Sequence, residues 1–289
     1  MMDVQLVRVF LRTADGGNPA PIVIDANGWD AVAMREVART HGHESAFVLK
    51  PADSRHDFRF RFFVPNHEME MCGHATLGAL WLLRQAGLWR RETAKIETLS
   101  GIVEARYDAD SDRILVSQPP GRITPIQDPT LLAEILDVLD LDPGDLLPLG
   151  IVNAITSRTK TLIPLRTTAR LDRIAPKFDR IGSVCDRLSS TGLYPFAVQE
   201  DAARVLQARQ FPRASGYPED AATGIAAAAL LYGGRHYGLF PEGAQGITVR
   251  QGIAMGRPSE IAVDFRNKDA VDQGCWISGA VSLCSVEES

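Results

Sequence analysis

The sequence predicts an α+β protein made of two pseudo-equivalent halves. Three observations lead there. Short alternating or β-branched runs bounded by Gly, Pro, Asp and Asn recur along the whole chain, only a few helical patterns lie between them, and two of those helices repeat one another at an offset of 151 residues. In chain order, Val4–Phe10 and Pro21–Ile24 read as strands. Asp30–His41 reads as a helix, with Val32, Met34, Val37 and Ala38 at mixed three- and four-residue spacings behind Asp30 as N-cap. Phe58–Phe63 is a strand, and Gly73–Gln85 is an Ala- and Leu-rich helix with almost no charge. Ile114–Ser117 is a further strand, followed by a helix over Pro129–Leu139 with Asp128 as cap and Pro129 at its first position. Strands follow at Lys160–Leu165 and Leu193–Val198, and a second uncharged helix at Gly224–Tyr232.

Composition narrows the function classes. Of 289 residues, 45% are hydrophobic and 23% charged, which excludes a disordered chain. The net charge of −5 offers phosphate backbones no attraction, so no nucleic-acid partner is expected. No segment reaches the ~18 uninterrupted apolar residues of a membrane span. Asp3 and Arg8 make the N-terminal stretch a strand rather than a signal peptide. Cys72, Cys185, Cys275 and Cys284 form no CxxC pair, and without an export signal they read as reduced thiols of a cytoplasmic protein. The length allows one large domain or two smaller ones.

The internal repeat lays Glu68-Met-Glu-Met-Cys72-Gly73-His74-Ala75 over Glu219-Asp220-Ala-Ala-Thr223-Gly224-Ile225-Ala226. Each copy follows an Arg/Phe-containing run, Arg59–Phe63 or Arg209–Phe211, and the offset is close to half the chain. Any two buried helices share Gly and Ala, but that offset favours two related halves, changing over within the Pro/Asp-rich stretch 118–148. The first lobe is expected at 1–120 with a C-terminal segment near 265–289, and the second at 121–264. Each copy is a strand, a Glu-bearing loop and a Gly that opens a helix. The first turn of a helix leaves N–H groups unpaired and carries partial positive charge, so two such ends can clamp a small carboxylate.

Acid/base candidates crowd residues 41–74: His41, His43, His56, His67 and His74, with Glu44, Glu68, Glu70 and Cys72. A metal site finds no HExxH, no CxxC and no second cysteine pair to support it, so no metal is expected. Cys72, just before a helix start, is placed for thiolate chemistry, or is simply a small buried residue. A two-thiol racemase would need a partner where Thr223 stands. Glu44 lies where a helix exit becomes the apolar strand around Ala46-Phe47-Val48; desolvation there would suit it to carry protons, whereas a solvent-facing Glu would not.

These residues resemble the PhzF-like phenazine-biosynthesis proteins, which share the diaminopimelate epimerase fold. The likeness runs through Gly17-Asn18-Pro19-Ala20, His43-Glu44-Ser45-Ala46-Phe47, and Phe63-Val64-Pro65…Glu68…Cys72-Gly73-His74-Ala75-Thr76. It continues with Glu219-Asp220-Ala221-Ala222-Thr223-Gly224 and Gln251-Gly252-Ile253-Ala254-Met255-Gly256-Arg257-Pro258-Ser259. The resemblance implies two halves, each a barrel-like, mostly antiparallel sheet around a central helix, with the active site in the cleft between them. It implies an isomerase working on a small carboxylic acid without cofactor or metal, and a homodimer. By position Glu44 matches the catalytic glutamate that moves a proton between carbons, and His74 and Asp220 match supporting polar residues. Cys72, Gly73, Thr223 and Gly224 fall in the loops that bind the substrate carboxylate. The chain departs from the family where Ala221 and Ile225 replace the usual Pro and Ser; Ile225 removes a hydroxyl donor and shapes a different pocket. Two alternatives stay open: an amino- or hydroxy-acid epimerase using Cys72 with Glu44 or Asp220, and a non-catalytic carboxylate-binding protein.

Overall fold

The computed structural model describes residues 4–199, 202, 204–241 and 243–284. The chain divides into two compact units, Met1–Ser117 with Ile277–Ser289, and Gln118–Trp276.

The first unit begins with β1 (Gln5–Leu11) and β2 (Asn18–Val23), continues through α1 (Ala31–His41) to β3 (Ser45–Leu49), and then forms β4 (Phe58–Phe63) and β5 (Glu68–Met69). Helix α2 (Gly73–Gln85) leads to β6 (Thr93–Thr98), β7 (Gly101–Asp108) and β8 (Arg113–Gln118). Pairing runs β1–β2 antiparallel, β2–β3 parallel, β3–β4 antiparallel, β4–β6 parallel, then β6–β7 and β7–β8 antiparallel.

The second unit comprises β9 (Arg122–Pro125), α3 (Pro129–Val138), β10 (Val152–Ile155), β11 (Thr159–Leu165), α4 (Thr168–Asp172), α5 (Phe178–Arg187) and β12 (Gly192–Val198). It continues with β13 (Val205–Ala208), β14 (Phe211–Pro212), α6 (Gly224–His236), β15 (Gly246–Gln251) and β16 (Ser259–Phe265). From β10 onward the pairing repeats the first unit's sequence: β10–β11 antiparallel, β11–β12 parallel, β12–β13 antiparallel, β13–β15 parallel, β15–β16 antiparallel. The chain returns through β17 (Cys275–Ser278) to β18 (Ala280–Leu283), which pairs antiparallel with β1.

Each parallel step is bridged by helices, as a parallel pair requires a crossover. In each unit one crossover helix is enclosed by strands. α2 packs on β1, β2, β3 and β18, and α6 on β9, β10, β11, β15 and β16. These are the two helices that the repeat aligns, and both run for thirteen residues from their glycine. Residues 73–80 and 224–234 are buried without a break, which is why these helices are built from Ala, Leu and Gly. The remaining helices lie on the outer faces. Met34, Val37 and Ala38 of α1 pack on Val23, Phe47 and Phe63, while Ile135 and Val138 of α3 pack with Ile181, Val184 and Cys185 of α5 on Ile163, Leu165 and Leu193.

Two local outcomes differ from the sequence reading. α6 continues past Tyr232 to His236, through two glycines that look like a helix stop. A Cβ at Gly233 would collide with Leu162 and one at Gly234 with Phe240, so these glycines record close packing rather than chain reversal. α5 escapes the strand-centred reading, although Ile181, Val184, Cys185 and Leu188 carry its apolar face at helical spacing. No helix among the described residues is long and apolar enough to cross a membrane.

The buried cysteines permit a direct check of this packing. Burial pushes the Cys185 thiol up to about 11 and the Cys275 thiol up to about 12, so neither forms the reactive thiolate at pH 8. Both should resist a maleimide in the native protein and label fully in denaturant, with peptide mass spectrometry as the readout.

Candidate active site

Glu44 is fixed by what flanks it. Gly42 closes α1 in a left-handed conformation (φ 67°), its N–H donating to the Ala38 carbonyl at 2.9 Å. Three residues later β3 begins, with Ser45 opposite Phe63 and residues 45–48 buried. The Glu44 side chain is thereby drawn inward, with only 11% of its surface exposed. Cys72 is the N-cap of α2 and His74 the second residue of that helix, both buried. The Cys72 thiol donates to Glu44 Oε2 at 2.9 Å and lies 3.4 Å from His74 Nδ1; Nδ1 and Oε2 are 3.5 Å apart. Residues 28 positions apart thus converge on one spot.

Several of their neighbours in the sequence cluster are placed elsewhere. Glu68 is engaged by Arg61, His56 pairs with Asp53 at 2.8 Å, and His67 and Glu70 are exposed.

In the second unit Thr223 is the N-cap of α6 and Gly224 its first residue. Thr223 Oγ1 donates to Asp220 Oδ2 at 2.5 Å. Gln251, at the end of β15 and fully buried, ties this loop together. Its Nε2 donates to the Asp220 carbonyl (2.6 Å) and to Thr223 Oγ1 (3.2 Å), while its Oε1 accepts from the Thr223 N–H (3.3 Å) and the Tyr194 hydroxyl (2.9 Å). Burial holds the Tyr194 phenol well above its ordinary range, so it remains a donor. Because Thr223 Oγ1 accepts from Gln251, its own proton is directed at Asp220, which therefore serves as the acceptor. Ala221 and Ile225 are both buried, Ile225 in the first turn of α6.

Neither N-cap side chain caps its helix, so the first-turn N–H groups of α2 and α6 have no such partner. The loop before each helix is held instead by a buried or half-buried Arg–Glu fork. Arg61 Nε and Nη2 donate to the two Glu68 oxygens at 2.7 Å each, and the guanidinium stands 5.1 Å from the Phe63 ring centroid. Arg209 grips Glu219 at 2.8 and 2.7 Å, 4.9 Å from the Phe211 centroid, and its Nη1 also donates to the Leu171 and Ile174 carbonyls. Glu68 and Glu219 each lie five residues ahead of their helix.

Removing one partner of a buried pair strands the other's charge, at a cost of about 3–5 kcal/mol. Arg209→Ala should lose that much in urea unfolding, because both side chains of its pair are 8% exposed. Arg61→Ala, whose pair is 19% and 24% exposed, should lose clearly less.

The profile of the family described as "Phenazine biosynthesis-like protein" (PhzC-PhzF) matches residues 7–285. The "Uncharacterized isomerase YddE" of Escherichia coli K12 is 30% identical over 288 residues, covering 96% of this chain and 94% of that protein. A crystal structure titled as the Bacillus anthracis phenazine biosynthesis protein, PhzF family, superposes with a TM-score of 0.84 at 25% identity, covering 98% of this chain and 96% of the other. A predicted epimerase from Pseudomonas aeruginosa superposes with a TM-score of 0.82 at 25% identity, with the same coverage.

Proposed function

The chain belongs to the phenazine biosynthesis-like (PhzC-PhzF) family, and on that premise we propose that it is an isomerase moving a proton, and with it a double bond, on a small carboxylic acid. The observation that carries this reading is the meeting of Glu44 Oε2, Cys72 Sγ and His74 Nδ1 within 3.5 Å of one another, around a carboxylate only 11% exposed. A carboxylate held at this point is placed to abstract a proton. The same group can return the proton to another carbon. The exchange is redox-neutral, so it calls for no electron carrier.

Following the family resemblance, this reading puts the substrate in a cleft between the two units, with its carboxylate at the first turns of α2 and α6. There Gly73 and Gly224 would offer backbone N–H groups, with Thr223, whose own N–H is held by Gln251, lining the second turn. Asp220, kept in acceptor form by Thr223 and Gln251, would take a hydrogen bond from a substrate hydroxyl or amine, and His74 would stabilise developing charge. Ile225 presents an apolar wall at the same helix end, which favours a substrate with fewer polar substituents there.

Incubation with a panel of cyclic and acyclic unsaturated acids in D₂O should add mass to a substrate as its double bond moves. Glu44→Gln should slow that reaction by about 10²–10⁴-fold with the fold retained, as expected for a positioned acid/base. Full activity of a folded Glu44→Gln protein would refute the assignment.

The 2.9 Å contact between Cys72 and Glu44 favours one second reading, an epimerase in which thiol and carboxylate act on a single stereocentre. That reading predicts deuterium at a stereocentre with constitution unchanged, and loss of exchange in Cys72→Ser. In the double-bond isomerase, Cys72→Ser keeps a hydrogen-bond donor to Glu44 and should retain most of the rate.

A further inference from the structure

We propose that Glu44, Cys72 and His74 form a binding site for a zinc(II) ion, with Oε2, Sγ and Nδ1 as the ligand atoms. The sequence carries no metal-ligand spacing, because Glu44 comes from the helix-to-strand junction before β3 and the other two from the start of α2. Folding supplies what spacing does not: these three donor atoms of different chemistry lie within 4.8 Å of one another, around buried side chains.

The distances fit the ion. Zinc bonds of about 2.3 Å to sulfur and about 2.0–2.2 Å to nitrogen and oxygen place tetrahedral ligand atoms roughly 3.4–3.6 Å apart. Sγ to Nδ1 is 3.4 Å and Nδ1 to Oε2 is 3.5 Å, so two of the three edges are already at that spacing. The third, Sγ to Oε2, is 2.9 Å because the thiol proton lies on it. Replacing that proton by a metal needs this edge to open by roughly 0.5–0.7 Å.

Charge fits as well. On binding, the S–H bond breaks, the proton passes to solvent, and a sulfur–zinc bond forms; no electrons are transferred. Thiolate and carboxylate together carry two negative charges against the dication, and a neutral imidazole supplies the third ligand. The mixed sulfur, nitrogen and oxygen set suits zinc over calcium or magnesium, which take oxygen ligands. Glu44 keeps 11% of its side chain exposed, which gives an ion a way in.

This inference goes beyond the isomerase reading and is tested without any substrate. A metal on Oε2 would occupy the atom that the isomerase reading assigns to proton transfer, so zinc would act there as a blocking ligand.

The test uses the full chain, stripped with a chelator and dialysed. Cobalt(II) should give one equivalent of tetrahedral visible bands together with a near-ultraviolet thiolate-to-cobalt charge-transfer band, and zinc should abolish both. Calorimetry with zinc chloride should give one site per chain. Cys72→Ser, His74→Asn and Glu44→Gln should each weaken zinc by more than about 100-fold, beyond what losing an outer partner costs. Cys284→Ser should leave it unchanged. Absence of the charge-transfer band in the wild-type protein, or an unaltered zinc isotherm in a Cys72→Ser variant with native circular dichroism, overturns the site. The wild-type spectrum decides the matter by itself should the variants fail to fold.

Discussion

The organisation of each unit follows from one constraint: a helix enclosed on all sides by strands cannot use a solvated side chain to finish its own N-terminus. Cys72 and Thr223 occupy the two N-cap positions, and neither caps its helix. Something else must hold the approaching chain, and in both units it is a bidentate Arg–Glu fork backed by a phenylalanine ring. The fork fixes the loop at five residues' distance from the helix, leaving the intervening residues to present chemistry rather than to stabilise the turn. A guanidinium matches a carboxylate with two parallel hydrogen bonds, which makes such a fork geometrically specific as well as strong.

The two helix starts then diverge in what they present. The first gathers a thiol, an imidazole and a carboxylate within 3.5 Å of one another, three groups able to give or take a proton. The second gathers an aspartate whose hydrogen-bond role is set by Thr223, Gln251 and Tyr194, a chain in which each donor's direction is dictated by the one before it. One end is labile towards protons and the other is locked. The two starts therefore do not present an equal pair of bases.

Much of this was legible in the sequence where the signal is local. Asp30 and Asp128 cap their helices as their residue types predict, accepting from Ala33 and Thr130 at 2.8 Å. The repeat offset of 151 residues places both enclosed helices at their true first residues, because composition and a glycine start survive as a pattern. What could not be read depends on contacts between distant segments. Gln251 was visible only as part of a motif; that its amide would fasten Asp220 and Thr223 follows from β15 lying where its last residue reaches the α6 loop. Arg209 was seen as strand composition, yet it is a buried charge with every side of its guanidinium engaged. Among the histidines, clustering in sequence overstated clustering in space: His74 comes within 3.5 Å of Glu44, whereas His56 pairs with Asp53 and His67 is exposed.

A proton shared between thiol and carboxylate and a metal bound between them are chemically close relatives. Both require two acceptors at short range, a third polar group beside them, and enough enclosure that water does not outcompete them. The geometry that lets Glu44 take a hydrogen bond from Cys72 beside His74 therefore also creates an affinity for a soft dication, unless a bound carboxylic acid or the shared proton keeps the ion away. Proton chemistry built on a thiol, an imidazole and a carboxylate carries metal sensitivity with it, because the same lone pairs serve both.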